Sequence, residues 1–325
     1  NPESFNYAAL NKREAKKGSG DEIPRQVRAA ARRTHYIRRM FPMKNIAYYN
    51  GKTAPIEEMM VPMNDRACYF GDGVYDVTFC RNYKIYRLRE HVERIFHSAE
   101  LLKIYPEITP DALCELVEGL VKKLDSDELW VYLQFSRGTD FRNHAFPEAP
   151  KPNLWIMLKP AKIKDTYRQL RVITRDDTRA LHCNIKSLNL LPSVLATQAC
   201  VDAGVDECIL HRDGIVTECA HSNVSILKNG TLITHPANEY ILAGTGRAHL
   251  MDACRHFEIP VVEKEYTLDD LKAADEVILT SASALCMRIV EVDGAPVGQK
   301  APHTLKTLQD YLLNDFMAET TPDIQ

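Results

Sequence analysis

The spacing of apolar residues between positions 46 and 160 predicts strands, tight turns and two amphipathic helices. Two stretches alternate like hairpins, with turns expected at Asn50-Gly51 and at Arg81-Asn82. Helical spacing follows in REHVERIFHSAELLKI (89–104) and DALCELVEGLVKKL (111–124). Two more strands are predicted in LWVYLQFSRG (129–138) and PNLWIMLKP (152–160). This part of the chain is therefore predicted to be an α/β domain.

The pattern changes after KPAKIKDTY (159–167), a charged joint that contains proline. Strands and helices alternate beyond it. The predicted strands are QLRVIT (169–174), ECILHRDGIVTE (207–218), NVSILKNGTLITH (223–235) and EVILTS (276–281), and the helices lie near 190–203, 246–257 and 305–318. We therefore predict a basic N-terminal extension (1–45), an N-terminal α/β domain (46–160), a linker (161–166) and a C-terminal domain (167–325).

Composition narrows the class of protein. A chain of 325 residues that is 45% hydrophobic can fill one large or two medium cores. The net charge is only −3, and no apolar run approaches the roughly 18 residues of a membrane span, so neither a nucleic-acid nor a membrane partner is expected. Nine cysteines without a CxxC pair predict neither a metal site nor a disulfide framework and favour a reducing cytoplasm.

The first 45 residues differ from the rest in charge. They carry a balance of +7, whereas the remainder sums to −10. RQVRAAARRTHYIRRM (25–40) predicts a basic helix after Pro24, and the apolar segment of a secretory signal is lacking. We interpret this extension as a partly disordered segment for oligomer or surface contacts, with a solvated helix favoured over a nucleic-acid-binding arm.

Two residues stand out as candidates for chemistry. Lys186 lies among short polar residues in HCNIKSLNLL (182–191), and Glu218 lies at a strand end after the Asp213-Gly214 turn. A single lysine or hairpin acid is usually a solvated surface charge, because burying an unpaired charge is costly. Taken without the rest of the sequence, Lys186 and Glu218 are compatible both with catalytic residues and with solvated surface charges.

Five segments, in this order along the chain, resemble D-amino acid aminotransferases, which are pyridoxal-phosphate enzymes of fold type IV. They are CYFGDGVYDV (68–77), REHVERIFHSAE (89–100), NIKSLNLLPSVLATQ (184–198), ILHRDGIVTE (209–218) and THPANEYILAG (234–244). The resemblance covers about residues 46–300. It implies an α+β fold of two domains: a smaller N-terminal α/β domain and a larger C-terminal domain with a β-barrel-like core and flanking helices. It also implies pyridoxal 5′-phosphate and a homodimer.

The same resemblance assigns roles to residues around the cofactor. Lys186 would form the Schiff base and move a proton, and Glu218 would face the pyridine nitrogen. Arg94 would bind the phosphate, since a guanidinium can donate two aligned hydrogen bonds. Backbone N–H groups at Gly244-Thr245-Gly246, where a helix begins, would complete the anion site.

The chain departs from the family at the cofactor. Gly246 and Ala282 stand where the family usually has phosphate-binding threonines. Thr245, Ser281 and Ser283 are the candidates to replace these hydroxyls. His221, beside Ser222, lies in a tract that is normally serine-rich, and its ring is as readily expected inside the pocket as outside it.

Substrate recognition is expected to involve Tyr75, Arg142 and His144. In the family an Arg-x-His pair and this tyrosine bind the substrate α-carboxylate, with the pair reaching into the neighbouring subunit's site. Residues two apart in an extended stretch point the same way, so both cations can converge on one carboxylate. The resemblance therefore implies transamination between D-alanine-like donors and 2-oxo acids such as 2-oxoglutarate.

Three other hypotheses remain open. On the same fold, the chain is a transaminase of branched L-amino acids or amines, or a pyridoxal-phosphate lyase of the aminodeoxychorismate type. Arg142 with His144 argues against these interpretations, and amines without a carboxylate would leave both cations unpaired. The third, a binding or assembly module that lost tight cofactor binding, is favoured by Gly246 and Ala282.

Overall fold

The computed structural model describes residues 43–322. The chain divides into two compact units, of which residues 1–42 lie outside the described part and the second begins at Met43. The predicted basic helix (25–40) and nearly all of the predicted extension (1–45) therefore lie outside the described residues. The division into domains at 46–160 and 167–325 stays a prediction.

Residues 46–160 form an antiparallel sheet of six strands with helices on it. The elements are β1 (Ile46–Tyr49), β2 (Lys52–Ala54), a 3-10 turn (Ile56–Glu58), α1 (Arg66–Phe70), β3 (Gly73–Arg81), β4 (Lys84–Ile85), α2 (Leu88–Leu101), α3 (Pro110–Val121), β5 (Leu129–Ser136) and β6 (Asn153–Pro160). The strand order is β2-β1-β6-β5-β3-β4. Helices α2 and α3 cover the sheet, because the apolar stripe of each helix faces its buried side.

The rest of the described chain forms a mixed sheet of nine strands. The elements are β7 (Gln169–Asp176), α4 (Leu191–Ala203), β8 (Glu207–Arg212), β9 (Ile215–Cys219), β10 (Asn223–Lys228), β11 (Thr231–Thr234), α5 (Thr245–His256), β12 (Val261–Glu263), α6 (Leu268–Lys272), β13 (Glu276–Thr280), β14 (Met287–Val292), β15 (Ala295–Pro296) and α7 (Pro302–Glu319). The strand order is β12-β11-β10-β13-β14-β7-β8-β9, and β15 pairs with β14. Two sheets with their own helices confirm the predicted α+β class.

The segment that carries Lys186, between β7 and α4, pairs with the edge of β3. The amide of Tyr75 donates to the carbonyl of Lys186 over 3.0 Å, and the amide of Leu188 donates to the carbonyl of Gly73 over 3.0 Å. A Cβ at Gly73 would lie 2.4 Å from the carbonyl oxygen of Phe135, so only glycine permits this close packing. This pairing holds Lys186 beside the first sheet.

The predicted turns differ in outcome. Asn50 and Gly51 both have positive φ, at 43° and 88°, as a two-residue hairpin turn requires. The Arg81-Asn82 turn is wrong by one residue, because β3 continues through Arg81 and the positive φ angles fall at Asn82 and Tyr83. Among the described helices, none is long and apolar enough to cross a membrane.

Candidate active site

A cavity of about 570 Å³ opens between side chains of both sheets. Its lining includes every predicted site residue except Arg142 and His144: Tyr75, Arg94, Lys186, Glu218, His221, Ser222, Gly244, Thr245, Gly246, Ser281, Ala282 and Ser283. These residues come from β3, α2, β9, α5 and the connecting segments. The fold thus gathers a lysine, a buried acid, an arginine and a helix N-terminus around one space.

Lys186 lies at the wall formed by β3. Its Nζ is 4.4 Å from the centre of the Tyr75 ring, and its backbone amide donates to Ser98 Oγ over 3.2 Å. The side chain is half-buried. Lys186 is therefore fixed at its backbone while its amine faces the aromatic wall of the cavity.

Glu218, at the end of β9, is 5% exposed and is held from several sides. Its Oε2 accepts from Asn223 Nδ2 over 2.8 Å and from the amide of Leu242 over 3.1 Å, and its Oε1 accepts from Arg179. Burial raises the pKa of Glu218 to about 7, although Arg179 acts in the opposite direction. Glu218 is therefore a rigidly held acid that exchanges a proton near neutral pH.

Arg179 is a residue that the sequence interpretation missed. It donates from Nε to Asp177 Oδ1 over 2.9 Å and from Nη2 to Asp177 Oδ2 over 2.8 Å, while Nη1 donates to Glu218. Arg212 and Thr217 also donate to Asp177. The signal was the charged run RDDTR (175–179) at the end of a strand, although a charge run by itself is usually a solvated surface.

Arg94 is positioned by a buried acid on β3. Its Nε and Nη2 donate to the two oxygens of Asp76, each over 2.8 Å, and His91 Nδ1 lies 2.7 Å from Asp76 Oδ1. Burial alone would raise the pKa of Asp76, but Arg94 and His91 outweigh it and hold this pKa well below its usual range. Asp76 is therefore a fixed anion that orients the Arg94 guanidinium.

The N-terminus of α5 supplies backbone donors to the cavity. Gly244 at the N-cap has no side chain to cap the first amides of the helix, which lack intrahelical partners, and Gly244, Thr245 and Gly246 line the cavity. A Cβ at Gly246 would lie 3.1–3.2 Å from backbone atoms of Ser281. Glycine therefore lets this helix approach the turn after β13 more closely than any other residue would.

That turn carries two hydroxyls. Ser281 Oγ lies 3.3 Å from Ser283 Oγ and accepts from the amide of Ala284 over 3.2 Å. Both serines line the cavity, with Ala282 between them and Thr245 on the facing helix. Three hydroxyl side chains thus lie around the positions where the expected threonines are lacking.

His221 lies at the cavity wall and is 48% exposed. Its Nδ1 is 3.0 Å from Oε2 of Glu207, which is 3% exposed. Ser222 Oγ donates to the same oxygen over 3.1 Å. Both residues therefore form a polar group with a buried acid, which the sequence did not indicate.

Arg142 and His144 do not line the cavity of the described chain. Both are exposed and contact Phe70, with the Arg142 guanidinium 5.1 Å and the His144 ring 5.1 Å from its ring centre. Arg66 anchors the backbone between them by donating to the carbonyls of Asn143 and Ala145, over 2.7 Å and 3.2 Å. Of the predicted carboxylate-binding residues, only Tyr75 lines this chain's own cavity.

Comparisons with known proteins place the chain in one family. The family model for class IV amino-transferases matches residues 73–292. The D-alanine aminotransferase of Staphylococcus epidermidis is 38% identical over 253 residues, which cover 77% of this chain and 90% of that protein. The D-alanine aminotransferase of Bacillus licheniformis is 34% identical over 279 residues, which cover 85% of this chain and 99% of that protein.

Solved structures agree on the fold. The branched-chain amino acid aminotransferase of Escherichia coli superimposes with a TM-score of 0.78 at 22% identity, covering 87% of this chain and 98% of that one. The branched-chain amino acid aminotransferase of Thermobaculum terrenum, in its PLP form, has a TM-score of 0.73 at 22% identity, covering 85% and 96%. At such identities the likeness concerns the fold alone, and it is the fold type IV architecture that the sequence predicted. With a family model spanning two thirds of its length and relatives above 30% identity, this chain belongs to the class IV aminotransferase family.

Proposed function

We propose that the chain is a pyridoxal-phosphate-dependent transaminase of D-amino acids. It would move the amino group of D-alanine or a similar donor to a 2-oxo acid such as 2-oxoglutarate. The observation that carries this proposal is the single cavity shared by Lys186, Glu218, Arg94 and the α5 N-terminus. Relatives named D-alanine aminotransferases, 34–38% identical, support the choice of substrate.

The donor set fits pyridoxal phosphate. Arg94 and the free amides of α5 suit a dianionic phosphate, with Thr245, Ser281 and Ser283 as additional donors. The carboxyl group of Glu218 suits a ring nitrogen, because a buried acid with a pKa near 7 readily shares a proton with it. When bound, the cofactor accepts the electron pair released at the substrate Cα.

Lys186 is the base of the proposed reaction. A neutral amine at this position would hold the cofactor, give way to the substrate amine and then take the proton from the substrate Cα. The Tyr75 ring lies beside the amine, with its centre 4.4 Å from Nζ, and the side chain of Lys186 is half-buried in the cavity wall. Loss of the amine, as in Lys186→Ala, is expected to abolish transamination.

A homodimer is part of the proposal. Leu191, Val194 and Leu195 form an exposed apolar stripe on α4, spaced so that they share one helix face. Arg142 and His144 lie outside their own chain's cavity, as expected if they complete the site of a partner subunit.

A cytoplasmic location is also part of the proposal. All nine cysteines are free thiols, which suits a reducing compartment.

The proposal is tested with purified protein and pyridoxal phosphate. We expect the holoenzyme to absorb in the visible and to form pyruvate from D-alanine with 2-oxoglutarate as acceptor, while L-alanine gives none. Borohydride should attach the cofactor to Lys186, which a peptide map would locate. Activity with L-leucine but not D-alanine would contradict the D-amino acid assignment, and a holoprotein without visible absorption would favour the binding-module hypothesis.

A further inference from the structure

The wall of the cavity beside Lys186 is apolar and aromatic. Tyr75, Val77 and Phe79 are alternate residues of β3, so their side chains point to the same face of the sheet. Trp130 on β5 lies directly opposite Phe79. All four line the cavity.

These side chains form a continuous surface. The rings of Tyr75 and Tyr132 stack at 5.7 Å, and those of Tyr132 and Trp130 stack at 5.2 Å. From Tyr75 to Phe79 the strand advances four residues, which is roughly 13 Å. The wall is therefore much longer than the methyl side chain of alanine requires.

The wall also lacks charge. Within the described chain, β3 and β5 contribute no charged side chain to the lining of the cavity. Elsewhere in the lining, Arg94 is engaged by Asp76, and Arg179 is engaged by Asp177 and Glu218. A side-chain carboxylate at this wall would lose hydration without gaining a cationic partner from the lining residues of β3 and β5.

From this arrangement we infer that the β3–β5 wall is the side-chain subsite and that it selects bulky apolar D-amino acids, of the D-phenylalanine class. The inference rests on the proposed function, which places the substrate amine at Lys186, and on the expected binding of the α-carboxylate at Tyr75. From that position the next lining residues along β3 are Val77 and then Phe79. A phenyl ring there would lie against Val77 and reach the edge of Trp130.

The first half-reaction tests the inference without an acceptor. Single turnovers of the holoenzyme with D-phenylalanine, D-alanine and D-glutamate are followed by the change in cofactor absorbance. We expect the efficiency with D-phenylalanine to exceed that with D-alanine about tenfold or more, because a buried ring adds far more apolar area than a methyl group. An efficiency with D-phenylalanine at or below that with D-alanine or D-glutamate would overturn the inference while leaving the transaminase proposal intact.

A second experiment measures the binding of carboxylates that cannot react. Its result tests the side-chain subsite even if no D-amino acid is transaminated. Trp130 and Trp155 are the only tryptophans of the chain, and Trp155→Phe leaves Trp130 as the fluorescent reporter. In holoenzyme carrying this change, 3-phenylpropanoate should alter Trp130 emission and bind about tenfold more tightly than propanoate. Equal affinities, or no change in emission, would overturn the inference; failure of every D-amino acid to react would overturn the proposed function instead.

A matched pair of variants assigns the effect to the wall. Val77→Thr places a hydroxyl on the apolar surface, and we expect it to lower the efficiency with D-phenylalanine about five- to tenfold more than that with D-alanine. Val262→Thr makes the same change on exposed β12, away from the cavity, and should alter neither. Equal loss for both substrates in Val77→Thr would show a structural effect and contradict the assignment.

Discussion

The stability of the folded chain depends on pH through Glu218, because the carboxyl group of this residue is buried. Its pKa, raised to about 7 by burial against the opposing effect of Arg179, lies above its ordinary value near 4.5. Between pH 4.5 and pH 7 the folded chain therefore binds more protons at Glu218 than the unfolded chain does. The contribution of Glu218 to stability is fully present below pH 4.5 and is lost as pH rises through 7.

We predict that Glu218→Gln removes this dependence in the cofactor-free protein. Relative to the variant, the wild type should lose about 2–3 kcal/mol of unfolding free energy between pH 4.5 and pH 8. Urea denaturation at several pH values measures the difference between the two proteins, which cancels the titration of other groups. Curves that stay parallel across this range would show that Glu218 is ionised in the folded chain throughout.

The buried carboxylate of Asp76 is expected to make a large contribution to the free energy of unfolding. It holds both Arg94 and His91, so its removal leaves a buried guanidinium without a partner. We predict that Asp76→Asn lowers the free energy of unfolding by about 3–5 kcal/mol, as measured by denaturant titration at pH 7.

A surface pair provides the control for Asp76→Asn. Asp111 pairs with Arg89 in the solvent, so Asp111→Asn should cost less than about 1 kcal/mol. Because the pKa of Asp76 is lowered in the fold, its contribution should be present above pH 4 and fade as pH falls further. Similar costs for both substitutions would mean that Asp76 is more solvated than its burial indicates.

At the scale of elements, α5 and the turn after β13 meet at Gly246. Restoring the family's threonine there would bring its Cβ to 3.1–3.2 Å from the Ser281 backbone, so the helix or the turn must move. We predict that Gly246→Thr weakens pyridoxal phosphate binding about tenfold, consistent with an overpacking cost of about 1–3 kcal/mol. Absorbance titration of the cofactor-free protein measures this affinity.

Ala282→Thr is the matched test on the other side of the phosphate position. Ala282 lines the cavity, so an added hydroxyl points toward the ligand, and we expect cofactor affinity to be retained or increased. If Gly246→Thr instead tightened binding, the close approach of α5 and Ser281 would not explain why threonine is lacking there.

Elements with strong apolar periodicity could be predicted from the sequence. Helix α2, predicted at 89–104, spans Leu88–Leu101, because its buried stripe is complete within the helix itself. Short elements such as α1 and α6 were missed, since five residues give no periodicity. Strand β14 was also missed; besides its neighbour β13 it pairs with β7, a strand far along the chain that the local sequence does not indicate.

At the scale of the whole molecule, the cavity combines segments that are far apart in the chain. Motif resemblance indicated Lys186, Glu218 and Arg94, which are now seen to line one space. It did not indicate Arg179 or Glu207, because their importance comes from contacts with Glu218 and His221 that only the fold brings near. For Arg142 and His144, a single chain shows an exposed pair, and the role proposed for them requires a second subunit.

Subunit complementation tests this shared site. Lys186→Ala and Arg142→Ala should each yield a nearly inactive dimer. If Arg142 acts in the partner's cavity, a mixed dimer has one site with both changes and one intact site. Random reassortment of equal amounts should then restore about a quarter of wild-type activity with D-alanine, because half the dimers are mixed and each has one working site.

The control mixes Lys186→Ala with Glu218→Ala chains. Both residues line the same chain's cavity, so every site of a mixed dimer keeps one defect and no activity should return. Sedimentation of each mixture must show dimers, since the exposed stripe of α4 is the proposed interface. If the Lys186→Ala and Arg142→Ala mixture also stays inactive, Arg142 does not reach across subunits, and recognition of the α-carboxylate must be sought among side chains of the same chain.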